Sequence, residues 1–394
     1  RASAALATAA IGSFVAGAIA TGIVAFASPT IAWIGIRMTP ADFFALMVLA
    51  FGTVGAVLGQ SMRRGLIALT FGLSIGLIGL DLQTGSSRLT FGIPEAFDGI
   101  ETVVLVVSLF ALGEALYVSL YGRLGGVEKN KFKGLAWLSK SDFKRSFLPW
   151  LRGTAIGFPT GVIPAGGSEL PTFLSYSLEK RLARKKHNEF GNGAIEGVAG
   201  PEAANNANAA GAMVPLLALG LPTSATAAVM LVAFQQFDIR PGPLLFTDQP
   251  VLVWTLIASL FIGNLLLLVI NLPLVGLWAK LLDIPAPYLY GGIVTFAMVG
   301  AYVLNNSWFD LWAAVVIGII GLLFRKFGYP VTPLILGVIL GPMAEQEFRR
   351  ALQTSAGDWG VLVSTPFTIS IYVILALVIT VPQVLKFVRS KQQA

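Results

Sequence analysis

Two stretches of the sequence place Gly, Pro, Asn, Ser and Thr inside segments that are otherwise apolar enough to lie in a bilayer. The first is GVIPAGGSE (161–169), and the second runs from GVAGPEAANNANAA (197–210) to GLPTSAT (220–226). Irregular backbone at membrane depth is tolerated only where it is buried in protein or lines a polar cavity, and paired Gly/Pro interruptions often mark a transporter's substrate site. These stretches therefore predict two broken helices that together form a polar site.

The groups in these stretches divide by the charge they can bind. Hydroxyls, amides and the free N–H groups of a half-helix suit an anion, whereas carboxylates, unwound carbonyls and helix C-termini suit a cation. Small polar residues can instead serve close helix packing, but two breaks, three clustered Asn residues and a GLPTS turn together favour a site. The predicted substrate-binding residues are Gly166, Gly167, Ser168, Asn205, Asn206, Asn208, Thr223, Ser224 and Thr226. The predicted ion-binding or coupling residues are Pro164, Ala165, Gly220, Glu196 and Glu202.

Groups for covalent or metal chemistry are scarce in this sequence. It contains no Cys, and its one His, His187, lies in the basic run KRLARKKH, which is typical of a solvated loop. A membrane-embedded enzyme would need a nucleophile with a base, a carboxylate pair or a metal set, and the Glu residues near the breaks form no such motif. We therefore predict no catalytic residue, no metal site and no cofactor besides a coupling cation, Na⁺ or H⁺. A channel or a purely structural subunit is the alternative, although it explains the polar cluster less well.

The composition indicates the elements that must position this site. Of 394 residues, 55% are hydrophobic and 12% are charged, against about 25% charged in a soluble domain. Apolar runs reach the roughly 20 residues that a helix needs to cross the hydrocarbon core. We predict an all-α polytopic integral membrane protein of about ten transmembrane helices, with a re-entrant hairpin, a broken helix and an inverted-repeat transporter fold. The net charge is +7, but the charged residues flank the apolar spans and form no single patch. They therefore predict no nucleic-acid surface.

The basic residues predict the orientation of the chain, because loops rich in Lys and Arg stay in the cytoplasm. An alternating path that places the basic loop 122–146 inside leaves most of the 27 Lys and Arg residues, and both termini, on the cytoplasmic side. Trp150, Trp254, Tyr288 and Trp308 are interpreted as interfacial anchors. The basic residues predicted outside are Arg37, Arg88, Arg240, Arg349 and Arg350. The predicted spans are 5–27, 42–60, 65–81, 99–121, 251–279, 287–305, 309–324, 331–343 and 366–388.

The interrupted elements follow different paths in this arrangement. Both flanks of 147–179 are cytoplasmic, yet the segment is shorter than the roughly 40 residues that two crossings need, so we predict a re-entrant hairpin with its tip at 161–167. The second element crosses once, as half-helices at 207–219 and 225–237. The predicted domains are 1–146 for the N-terminal helices and basic loop, 147–250 for the site region, and 251–394 for the scaffold helices.

At these residues the sequence resembles the large membrane subunit of the bacterial tripartite tricarboxylate transporter family. The segment 190–228, FGNGAIEGVAGPEAANNANAAGAMVPLLALGLPTSATAA, is similar to the family's long signature. Two further family patterns are matched by GLDLQTGSSRLTFG (79–92) and PGPLLF (241–246). The chain departs from the family at the hairpin tip, where Ala165 follows Pro164 in place of Gly, and at Thr223, where many members have Gly.

The resemblance implies a secondary transporter of the bacterial inner (cytoplasmic) membrane that imports small di- or tricarboxylates and is driven by a cation gradient. It also implies two protein partners, a small membrane subunit and a periplasmic substrate-binding protein. The family pattern has an earlier half with its own Pro/Gly-rich break, and this chain opens inside that pattern. We therefore expect the sequence to be part of a longer protein and to hold one half of the site.

Overall fold

The computed structural model describes residues 2–57, 62–81, 83–122, 137–163, 167–183, 189–281 and 284–393. Within these residues, five helices are long and apolar enough to cross a membrane, and three shorter apolar helices accompany them. The predicted all-α polytopic class is confirmed. The membrane course of the individual helices and the inverted repeat stay predictions.

The helices and strands of the described residues follow one another closely along the chain. In chain order they are α1 (Ala2–Gly35), α2 (Pro40–Val57), α3 (Met62–Gly76), β1 (Gly79–Leu80), β2 (Ser87–Arg88), a 3₁₀ turn (Pro94–Ala96), α4 (Thr102–Val107), a π-helical turn (Ser108–Leu112), α5 (Gly113–Tyr121), α6 (Lys140–Val162), α7 (Glu169–Ala183), α8 (Glu196–Gly211), α9 (Met213–Leu219), α10 (Ala225–Gln236), α11 (Leu245–Asp248), α12 (Pro250–Leu281), α13 (Ala286–Asn305), α14 (Trp308–Lys326), α15 (Val331–Thr354), a second 3₁₀ turn (Trp359–Val363) and α16 (Pro366–Gln393).

The chain packs as two compact units, each assembled from separate segments. Unit 1 comprises Arg1–Ile36, Gly125–Ala227 and Phe234–Ala286, and unit 2 comprises Arg37–Leu124, Ala228–Ala233 and Pro287–Ala394. The three domains predicted along the chain are a division by role, which this packing does not test, and they stay a prediction.

In unit 1, helix α8 packs against α1, α6 and α7, and α1 also packs against α12. A buried hydrogen bond from Thr8 to Ser146 (2.8 Å) joins α1 to α6. Trp150 of α6 is fully buried, and a Cβ atom added at Gly12 of α1 would lie 2.4 Å from its Nε1 atom. The interpretation of Trp150 as an interfacial anchor is therefore wrong, because the glycine leaves room for the indole ring inside the α1–α6 contact.

In unit 2, α15 packs against α2 and α3, and α14 packs against the helix formed by α4, the π-helical turn and α5. Gly72 of α3 allows close contact, since a Cβ atom there would lie 2.0 Å from the Leu334 carbonyl oxygen. The predicted span 65–81 is wrong at its end, because α3 stops at Gly76 and β1 follows. The predicted span 331–343 is too short, because α15 continues as a polar helix to Thr354. Hydropathy alone does not show where an apolar helix continues as a polar one.

Candidate functional site

A stripe of glycines on α6 brings the first interrupted element against α8. Gly153, Gly157 and Gly161 recur every fourth residue, so they lie on one face of the helix. Cβ atoms at these positions would lie 2.2, 2.1 and 2.1 Å from the carbonyl oxygens of Gly200, Ala204 and Asn208, respectively. Only glycine permits this approach of the two backbones, in the manner of small-residue contacts in membranes.

The first break lies between the end of α6 at Val162 and the start of α7 at Glu169. Gly167 has φ +104°, a conformation that glycine adopts without strain. The carbonyl of Ser168 accepts hydrogen bonds from the backbone N–H of Thr172 (3.1 Å) and from its hydroxyl (2.6 Å). The predicted helix, break and returning helix are thus present. Pro164, Ala165 and Gly166 at the predicted tip lie outside the described residues.

The second break is formed by GLPTS between α9 and α10. Gly220 ends α9 with φ +69°, and a Cβ atom there would lie 2.6 Å from the Pro241 carbonyl oxygen. The N–H of Gly242 donates to the Leu217 carbonyl at 3.1 Å, so the PGPLLF loop covers the C-terminus of α9. The Ser224 hydroxyl accepts from the Ala227 N–H at 3.1 Å and caps α10. The predicted boundaries at this break are confirmed.

The predicted start of the first half-helix at residue 207 is wrong. Helix α8 begins at Glu196 and includes Pro201, so all three Asn residues lie inside a helix. Proline at this sixth position removes the hydrogen bond that an N–H would make to the Gly197 carbonyl, yet the helix continues through it. The three Asn side chains therefore project in directions fixed by the helix, about 100° apart per residue.

The two breaks meet in unit 1. The buried Thr223 hydroxyl donates to the Gly161 carbonyl at 2.8 Å, which joins the GLPTS turn to the last turn of α6. The Asn208 amide donates to the Thr160 hydroxyl at 3.3 Å. Polar groups of α6, α8 and the GLPTS turn therefore lie together, as the sequence predicts. Thr160 was missed, because an isolated Thr resembles a packing residue.

Asn206 and Glu202 lie one turn apart on α8 and share a partner on α1. The Ser13 hydroxyl donates to Glu202 Oε1 at 3.0 Å and accepts from Asn206 Nδ2 at 2.7 Å. Among the described residues, no basic side chain pairs with Glu202. Asn205 is half-buried, and within the described part of the chain its amide has no hydrogen-bond partner.

Arginines of α6 bind the other carboxylates of this region. Arg145 binds both oxygens of Glu196 (2.8 and 3.0 Å) and also Glu189 (2.8 Å). Arg152 holds Glu179 of α7 through two hydrogen bonds (2.7 and 2.6 Å), and the Glu179 side chain is almost fully buried. Both pairs are bidentate, the strong geometry for Arg and a carboxylate. The carboxylate of Glu196 is thus paired with an arginine. Its predicted role in binding or coupling an ion stays a prediction.

The geometry joins some of the predicted site residues and leaves others apart. Thr226 is exposed in the first turn of α10, next to Ser224. The part of the chain that the structure describes contains no group of three or more His, Asp or Glu residues able to hold a metal. The predicted residues that the structure brings into hydrogen-bonded clusters are Asn206 with Glu202 through Ser13, Asn208 through Thr160, and Thr223 through Gly161.

The sequence pattern of the Tripartite tricarboxylate transporter TctA family matches residues 1–336. An uncharacterized 52.8 kDa protein in the TAR-I ttuC' 3' region of Agrobacterium vitis is 43% identical over 392 residues, which cover 100% of this chain and 78% of that protein. An uncharacterized protein in the TAR-II ttuC' 3' region of the same organism is 48% identical over 232 residues, covering 59% of this chain and 95% of that protein. No solved structure matches. The extent of the family match shows that the chain belongs to the tripartite tricarboxylate transporter TctA family.

Proposed function

We propose that this chain is the membrane subunit of a secondary transporter that carries small di- or tricarboxylates inward across the bacterial inner membrane. A gradient of Na⁺ or H⁺ drives the uptake, a periplasmic binding protein delivers the substrate, and a small membrane subunit completes the complex. Membership of the family supports transport by a membrane subunit. The observation that carries the proposal is the convergence of the two breaks, with the Thr223 hydroxyl on the Gly161 carbonyl.

In this proposal the substrate anion is bound by backbone N–H groups and amide side chains, since the arginines of α6 already bind carboxylates. Helix α10 has no acidic residue in its first turn, and its Ser224 cap uses one N–H, so further N–H groups remain for an anion. Helix α7 begins with Glu169, whose charge opposes an anion at that terminus. We therefore assign the substrate carboxylate to the start of α10, with the Asn205 amide as a second donor.

Cation coupling falls to Glu202 in this proposal. Glu196 has both oxygens on Arg145, whereas Glu202 accepts from the neutral Ser13 hydroxyl and keeps its charge uncompensated among the described residues. An uncompensated carboxylate at membrane depth is costly and marks ion pathways. A cation at Glu202 would lie one turn from Asn206 and would lower the cost of admitting an anionic substrate.

The first test separates ligand contacts from packing. Asn205→Ala should weaken uptake roughly tenfold or more without loss of thermal stability, because a hydrogen bond to a charged group contributes about 1.5–3 kcal/mol. Asn206→Ala should reduce uptake and also stability, since it removes the bridge to Ser13. Wild-type uptake by the Asn205→Ala protein would assign that amide to packing.

The second test addresses coupling. In proteoliposomes with the complete system, Glu202→Gln should abolish accumulation against a gradient while substrate exchange continues. A wild-type protein that only equilibrates the carboxylate would be a channel. Accumulation by Glu202→Gln at the wild-type level would exclude this carboxylate from coupling.

A further inference from the structure

The segment 79–92 resembles a second family pattern and contributes no residue to the substrate site proposed above. It lies in unit 2, where β1 and β2 pair as an antiparallel hairpin with Gly79 opposite Arg88 and Leu80 opposite Ser87. Two strands of this length are marginal by themselves. Other contacts must hold the hairpin in place.

Four charged side chains fix the hairpin to the polar end of α15. Asp81 accepts from Arg88 at 2.5 Å and from Arg349 at 3.1 Å. Arg88 binds Glu345 at 2.8 Å, and Arg349 binds the same carboxylate. Each arginine thus contacts both carboxylates in a closed ring, and such a network is stiffer than a single exposed ion pair.

The residues that follow β2 are held in a conformation that turns apolar side chains outward. Leu89 and Phe91 both have φ +51°, which costs a residue other than glycine about 1–2 kcal/mol. Leu89 is 50% exposed and Phe91 is 87% exposed, whereas Thr90 between them is buried. Ile93 is 42% exposed on the same segment. Strain of this kind persists where the surroundings impose it, and it concentrates at binding sites.

The exposed charges that follow these apolar side chains along the chain are acidic. Glu95 and Asp98 are exposed directly after them, and the sequence from 89 to 101 contains no Lys or Arg. This is a local departure from a chain whose net charge is +7. Anionic lipid headgroups attract basic segments, so an acidic border disfavours contact with the bilayer surface. It favours a protein that presents Lys and Arg around an apolar pocket.

We propose that the segment after β2, defined as Leu89, Phe91 and Ile93, docks a soluble protein with an apolar pocket and a basic rim. The proposal rests on the proposed function in one respect, because there the soluble partner is the periplasmic binding protein that brings the carboxylate. Phe91 is the anchor that fills the pocket, and Glu95 and Asp98 guide the approach. The charge ring around Asp81 presents the segment after β2 in one fixed orientation, so docking orders little additional chain.

The test measures binding of the purified binding protein encoded with this subunit to the complete membrane complex in nanodiscs. Phe91→Ala should weaken the affinity roughly 30-fold, as loss of an aromatic anchor does. Glu95→Lys with Asp98→Lys should slow association and remove its dependence on salt. The matched control is Phe296→Ala, which alters a side chain of similar exposure, 80%, in the candidate span Ala286–Asn305. Its affinity should equal that of the wild type.

Four outcomes would overturn the docking proposal. One is wild-type affinity in the Phe91→Ala protein, and a second is no binding by the wild type. Another is relaxation by dissolved oxygen of a spin label at Phe91→Cys as strong as that at Phe296→Cys, which would assign the segment after β2 to the membrane. The last is labelling of Phe91→Cys, in a chain without other Cys, only from the cytoplasmic side. Carboxylate uptake measured on the same complexes separates the two proposals, because absent wild-type uptake contradicts the proposed function alone.

Discussion

Replacing Gly157 with Ala tests whether the glycine stripe holds the site together. The added methyl carbon would lie 2.1 Å from the Ala204 carbonyl oxygen. An ordinary C–H···O contact spans about 3.3 Å or more, so α6 and α8 would have to separate locally by roughly 1.2 Å. Overpacking of this kind costs about 1–3 kcal/mol. The better helix propensity of Ala returns at most about 1 kcal/mol, and we expect a net loss of stability.

The same separation should impair binding, because the Asn208 to Thr160 hydrogen bond is already 3.3 Å long and would break. Thermal unfolding of the purified protein and the KM of carboxylate uptake report the two effects. Gly263→Ala in α12 is the control, since a Cβ atom there meets nothing within 4 Å. It should leave both quantities unchanged or raise stability slightly. Equal unfolding temperatures and KM values for the two variants would refute this account of the stripe.

Three further predictions concern single contacts. Thr223→Val should lower uptake and cost about 1–3 kcal/mol because the buried Gly161 carbonyl loses its donor, whereas Thr223→Ser should retain both uptake and stability; equal loss in the two variants would contradict the role of the hydroxyl. Arg152→Ala should destabilise the contact between α6 and α7 by about 3–5 kcal/mol in denaturation assays, because it leaves Glu179 charged and buried. The double variant Arg152→Leu with Glu179→Leu should recover most of that loss. The backbone N–H of residue 83, the hydroxyl of residue 84 and an arginine hold the pKa of Asp81 well below its usual range. A carboxylate whose pKa is lowered by folding contributes stability above its ordinary pKa near about 4, and this stability is lost only at lower pH. The Tm difference between wild type and Asp81→Asn should therefore stay constant from neutral pH to about pH 4, and its disappearance at pH 6 would contradict the assignment.

Hydropathy predicts some long apolar helices to within two residues but not the continuations of others, since α1 runs past its predicted end at residue 27 to Gly35. The predicted span 287–305 and helix α13 differ by one residue at the start, because an apolar run of that length has one stable form in a bilayer. Helix α15 extends beyond its predicted end because Glu345 and Arg349 make contacts with the hairpin that the local sequence does not show. The β1–β2 hairpin was missed for the same reason.

The sequence indicated which polar residues lie at the two breaks, but only some of the contacts that they make. The GLPTS break could be read from Gly220 and Ser224, since a left-handed C-cap and an N-cap are local features. The pairing of Glu196 with Arg145 joins residues 51 positions apart, and no periodic pattern reveals it. The stripe that begins at Gly153 was visible in the sequence as small residues at intervals of four, the signal by which this contact could have been found.

The hydrogen bond between Thr223 and Gly161 affects how the two breaks can move relative to each other. It ties the GLPTS turn to the end of α6, and the Gly242 N–H on the Leu217 carbonyl ties the start of the next loop to the end of α9. With both sides of the turn anchored, we expect the two breaks to move together. During transport, α6, α8 and the GLPTS turn should then move as a single body together with the bound substrate. Spin labels on α6 and on α9 should therefore keep a constant separation throughout the transport cycle.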